Sequence, residues 1–128
     1  MRDRVERRRP SILIVDDCGD QRDLYALLLA SEFDVIGAGR GEEAIALAAE
    51  RRPDVIVLDI EMPGIDGFET CRRLKADPST ASIPVVMLTG GRYEPAETLV
   101  AGAFAALEKP CPDRTLVDTI VAAIVGAR

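Results

Sequence analysis

Apolar residues gather in four short unbroken runs: Ile12-Leu13-Ile14-Val15, Val55-Ile56-Val57-Leu58, Pro84-Val85-Val86-Met87-Leu88 and Phe104-Ala105-Ala106-Leu107. A weaker fifth, Phe33-Asp34-Val35-Ile36, lies between the first two. These runs do not alternate with polar residues, and most are rich in Val and Ile. Strands covered on both faces have this pattern, as in parallel sheets.

Between the runs, apolar positions recur at helical spacing. Residues 20–31 place Leu24, Leu27 and Leu28 on one face, and Gly41–Arg51 does the same with Ala44, Ile45, Leu47 and Ala48. Residues 66–76 offer Phe68, Cys71 and Leu74; residues 112–127 offer Leu116, Ile120, Ala123 and Ile124. Pro112 suits a first helical turn. A shorter helix is predicted over 94–101, with Pro95 near its start. Strand and helix thus alternate five times without linker or repeat. That predicts a doubly wound α/β fold, a five-stranded parallel sheet with helices on both faces. Right-handed crossovers favour the strand order 2-1-3-4-5, and a closed barrel would need about eight such units.

In such a sheet, ligands bind beyond the carboxyl ends of the strands. The first strand ends in Asp16-Asp17, and the third in Asp59 followed by Ile60-Glu61-Met62-Pro63-Gly64. The fourth ends in Thr89-Gly90-Gly91 and the fifth in Lys109-Pro110. Strands one, three and four are neighbours in the predicted order, so three carboxylates, a hydroxyl and an ammonium converge on one rim. Carboxylates that close raise one another's pKa unless a cation joins them. Hard oxygen ligands without His or Cys select Mg²⁺, or Mn²⁺, and a metal with open positions suits phosphate oxygens. Singly, each residue has a plainer reading: an Asp caps a helix, Thr-Gly makes a turn, Lys-Pro is a solvated junction. Four of them, each ending its own strand, read as a site.

Composition removes most alternatives. The 128 residues suit one domain with a real core. No stretch approaches the ~18 apolar residues of a membrane span, and none has the form of a secretory signal; a cytoplasmic protein is expected. Histidine is absent, which argues against nucleophilic enzymes of the Ser-His or Cys-His kind. Cys18, Cys71 and Cys111 are too widely spaced for a zinc site or disulfide framework and are expected to be small buried or half-buried thiols. Residues 1–10 are read as a basic, disordered tail holding Arg2, Arg4, Arg7, Arg8 and Arg9, and residues 11–128 as the domain. The net charge is −6 even with that tail, so neither nucleic acid nor a membrane is an expected partner.

The segments 12–17, 55–67, 85–90 and 102–110 closely resemble the receiver domains of two-component response regulators, above all in Leu58-Asp59-Ile60-Glu61-Met62-Pro63-Gly64-Ile65-Asp66-Gly67. The resemblance runs from about Ser11 to the end of the chain and implies a flavodoxin-like fold. It implies that Asp59 accepts a phosphoryl group from a phosphohistidine of a sensor histidine kinase or histidine phosphotransfer protein. Asp17 and Asp59 would bind Mg²⁺ directly, the backbone carbonyl of Glu61 would be a third ligand, and Asp16 would act through water. Lys109 would pair with Asp59 and then with a phosphoryl oxygen, and the Thr89 hydroxyl and Gly90 amide would serve another. Gly64 and Gly67 are expected at positive φ.

The chain departs from the pattern at Ala106, where receivers usually carry an aromatic that turns inward on phosphorylation. Phe104 is expected to fill core, and Tyr93 is a candidate stand-in for the ring. Glu61 is expected to hang over the mouth of the crevice and to alter phosphate lifetime. The expected role is a non-enzymatic switch of protein contacts in a phosphorelay, acting on a downstream protein. It is expected to stand alone, as a regulator or relay shuttle, in preference to being a receiver excised from a longer chain. A homodimer through the fourth and fifth strands and helices is a further expectation. A pseudo-receiver would keep the fold and lose one of these acids, the Thr or the Lys. An aspartyl-nucleophile phosphatase would use Glu61 as its second acid, against which stands the Met62-Pro63 that follows.

Overall fold

The computed structural model describes residues 9–91 and 95–127. The elements are β1 (Ser11–Val15), α1 (Gly19–Leu29), β2 (Asp34–Ala38), α2 (Gly41–Arg51), β3 (Val55–Asp59), α3 (Gly67–Ala76), β4 (Val85–Thr89), α4 (Pro95–Val100), β5 (Ala105–Glu108) and α5 (Asp113–Gly126). All four strand pairings are parallel, in the order β2-β1-β3-β4-β5. This is the expected doubly wound sheet. Residues 1–8, with four of the tail's five arginines, and Tyr93 lie outside the described residues. Arg9 belongs to the folded unit: its guanidinium donates to the carbonyls of Ala30 and Ser31, each at 2.7 Å, beyond the end of α1.

Alternate residues of each strand point to opposite faces, and the continuous runs therefore fill two cores. Leu13, Val15, Ile56 and Leu58 pack with Ala44 and Ala48 of α2 and Cys71 and Leu74 of α3. Ile12, Ile14, Val57, Val86 and Leu88 pack with Leu29 of α1 and Leu116, Ile120 and Ala123 of α5. Each such fully buried aliphatic side chain contributes about 1.5–3 kcal/mol, so the middle strands are the firmest part of the molecule. Asp66 caps α3 by accepting from the Glu69 N–H at 2.9 Å. At the other end of α3, the Lys75 ammonium donates to the carbonyls of Ala81 (3.0 Å) and Ile83 (2.6 Å), tying the helix to the loop before β4.

Three expectations are corrected. Leu24 and Leu27 are 66% and 76% exposed, while Tyr25, Leu28 and Leu29 face the sheet. Apolar residues occupy two adjacent stripes of α1, and the helix turns inward the stripe carrying the larger ring. β2 begins after Phe33, which is itself buried, and runs on to Ala38. Phe104 does not fill core: it precedes β5, is 44% exposed, and its ring lies near Gly126.

Candidate functional site

The register brings the strand ends level. Val15 is opposite Leu58, Asp59 opposite Leu88, and Thr89 opposite Glu108. Asp16 and Asp17 follow β1, Asp59 closes β3, Thr89 closes β4, and Lys109 follows β5. One carboxylate oxygen from each of Asp16, Asp17 and Asp59 lies within 4.8 Å of the others, so the three predicted acids do form one cluster.

Asp16 is held from several sides. Its N–H donates to the Ala38 carbonyl at 3.0 Å, and its Oδ1 accepts from the Cys18 N–H at 2.9 Å. The remaining oxygen, Oδ2, is buried without a hydrogen-bond partner. A buried carboxylate oxygen left bare costs about 1–3 kcal/mol or more. Asp59 is only 6% exposed, and the Lys109 ammonium stands 3.2 Å from its Oδ1. Burial pushes the Asp59 carboxyl above its ordinary value; Lys109 opposes this, and Asp16 and Asp17 add to it. Lys109 is placed by its own N–H, which donates to the Thr89 carbonyl at 2.7 Å, ahead of a cis Lys109–Pro110 bond.

Thr89 is nearly buried one residue beyond the register partner of Asp59, and its Oγ1 accepts from the Gly91 N–H at 3.2 Å. Gly90 is exposed in open space, and Glu61 is exposed two residues past Asp59. Gly64 has φ 79°, as expected. Gly67 does not, and close approach is what requires it: a Cβ there would lie 2.6 Å from Ile60 Cα and 2.7 Å from the Asp59 carbonyl oxygen. Helix α3 thus starts against the backbone that carries Asp59. Of the thiols, Cys71 is buried, Cys111 half-buried and Cys18 exposed, so Cys18 departs from expectation.

The description "response regulator receiver domain" matches residues 12–121. The chain belongs to the response regulator receiver domains. Among receivers and their relatives, it is 47% identical over 105 residues to the response regulator PleD of Caulobacter vibrioides. That match covers 80% of this chain and 23% of PleD, so the chain spans about a quarter of that relative's length. It is 38% identical over 118 residues to protein PilH of Pseudomonas aeruginosa, covering 90% of this chain and 98% of PilH. The solved structure of the Vibrio cholerae chemotaxis protein CheY4 superposes with a TM-score of 0.83 at 31% identity, covering 90% of this chain and 98% of that one. Among the described residues no helix is long and apolar enough to cross a membrane.

Receiver domains generally bind Mg²⁺ at an acidic pocket, and the residues here fit that ion. The donors are all hard oxygens, and the bare Oδ2 of Asp16 is an acceptor that a metal-bound water can satisfy. Arg22 is a residue that the chain's patterning does not reveal; its guanidinium donates to the Asp16 carbonyl at 2.6 Å. The glycines at 37 and 39, in and just past β2, were its only signal.

Proposed function

We propose that the chain is a signalling receiver that accepts a phosphoryl group on Asp59 in a Mg²⁺-dependent reaction. The observation that carries this is the Asp59 carboxylate, nearly buried, paired with Lys109 and clustered with Asp16 and Asp17. An Asp59 oxygen forms a bond to phosphorus while the P–N bond of a donor phosphohistidine breaks, the electron pair leaving on the imidazole nitrogen. Such transfer depends on positioning and neutralisation of charge. Asp16, Asp17, Asp59 and the Glu61 carbonyl would hold the ion, which supplies electrostatic stabilisation of phosphoryl oxygens. Lys109 exchanges its carboxylate partner for a phosphoryl oxygen, and the Thr89 hydroxyl, with the Gly90 amide, serves another. The donor is a sensor histidine kinase or histidine phosphotransfer protein, the setting cytoplasmic, and the output a change of protein contacts, with no turnover of an outside substrate.

Incubation with acetyl phosphate and Mg²⁺, followed by intact-mass measurement, tests the reading. A stoichiometric phosphoryl gain, lost in Asp59→Asn and without Mg²⁺, supports it. No gain with acetyl phosphate or with a phosphorylated histidine kinase makes the chain a pseudo-receiver. Catalytic turnover of a phosphate ester makes it a phosphatase.

A further inference from the structure

Oδ2 is bare while every other polar atom of Asp16 is engaged: the N–H with the Ala38 carbonyl, Oδ1 with the Cys18 N–H, and the carbonyl with Arg22. The third of these contacts reaches furthest. Arg22 sits on the first half of α1, half-buried, and its side chain crosses β2 to reach the end of β1. It lies over two glycines. A Cβ on Gly37 would come within 3.2 Å of Arg22 Cδ, and one on Gly39 within 3.3 Å of its guanidinium nitrogen Nη1. Gly37 lies in β2 and Gly39 just past its end, two positions on along the chain. Glycine inside a strand weakens it and marks a place where another group comes close. Here that group is Arg22. On the far side, the Gly39 N–H donates to Glu43 Oε1 at 2.9 Å, which holds the turn after β2 in place.

We infer that Arg22 is a positioning residue for the divalent-cation site, laid in a groove that Gly37 and Gly39 leave open at the end of β2. The inference rests on the Mg²⁺ reading above. A charge-assisted hydrogen bond of 2.6 Å to a backbone carbonyl is short and stiff. It fixes the peptide joining Asp16 to Asp17, and with it the direction in which both carboxylates leave the chain. Groups that orient metal ligands typically hold 10–100-fold in metal affinity. Charge alone predicts the opposite: a guanidinium beside the cluster repels a cation, and removing it would tighten binding.

Calorimetric titration with MgCl₂ separates the two, with urea unfolding in EDTA as the measure of folding. Wild type is expected to bind, and Asp17→Asn to lose binding. Arg22→Met is expected to bind about tenfold more weakly, and Arg22→Lys, which keeps a donor on a long stem, to recover part of the loss. Gly39→Val, which fills the groove while leaving Arg22 in the chain, is expected to weaken binding as well. In metal-free protein, exchange of the Cys18 amide is expected to quicken in Arg22→Met while that of Ile120 is unchanged. Unchanged or tighter Mg²⁺ binding in Arg22→Met overturns the inference, as does a lower urea midpoint with wild-type affinity. A wild type that takes up no Mg²⁺ sinks the functional reading first, and the inference with it.

Discussion

β3 and β5 are parallel strands of one sheet, two places apart, and they are built differently. Every residue of β3 is buried, and the strand delivers Asp59 to the rim with α3 starting against its backbone. β5 is four residues long, and no position of it is buried. Its neighbour α4 has six residues and leaves Val100 87% exposed. Between α3 and α4 lies an open groove of about 400 Å³ lined by Phe68, Ala96 and Val100 among others. The half of the molecule that holds the acids is locked by packing. The outer edge is short and filled with small residues such as Ala105 and Ala106. Chemistry that depends on fractions of an ångström needs the first kind of construction. A surface whose partner sets its shape tolerates the second.

The sharpest break of this contrast is in the core. Leu58→Ala, at a fully buried β3 position, is expected to cost about 4 kcal/mol in urea unfolding, and Leu107→Ala in half-buried β5 about 1 kcal/mol. Equal losses would mean that the edge is as firmly packed as the centre. Next come two glycines. Gly67→Ala must push a methyl into the Ile60 and Asp59 backbone and is expected to cost about 3 kcal/mol. Gly90→Ala enters open space and should stay within about 0.5 kcal/mol.

A smaller effect is expected of Ala106→Tyr, which restores a ring at the edge. Its rate of phosphorylation by acetyl phosphate should stay within about twofold of wild type, because Asp59 and Lys109 are untouched. Binding to a downstream partner should change; if it does not, the missing ring carries no information.

Smallest at neutral pH is the thiol chemistry. A thiol reagent should label Cys18 first and leave buried Cys71, whose thiol burial pushes up to about 11, unmodified until the protein unfolds. Because that folded value lies above the unfolded one, Cys71 contributes full stability below pH 9, and the contribution is lost as pH rises from 9 towards 11. A Cys71→Ala variant should lack this part of the alkaline decline.

Much of this was legible in the chain itself. The continuous runs and acids at their ends are one-dimensional information, so the strand order, α2 and the Asp16-Asp17-Asp59 cluster follow from patterning. The errors share a cause. Which stripe of α1 turns inward depends on the sheet it meets, and two candidate stripes lie side by side in Leu24 to Leu29. Phe104 is apolar, yet β5 starts one residue later and leaves its ring outside. Gly67 is needed for space that only the fold defines, and Arg22 reaches a carbonyl on another element. Contacts between elements distant in sequence leave no periodic trace.

The chain carries two lysines, Lys75 and Lys109. One ties α3 to the loop before β4, and the other is paired with Asp59. For anyone who would attach, cross-link or acylate this protein through side-chain amines, there is consequently no idle handle. A reagent that reacts at a lysine lands either on the amine paired with Asp59 or on the staple beneath the fourth strand. The extent to which each lysine reacts becomes a chemical clock: one for opening of the site, the other for loosening of that loop.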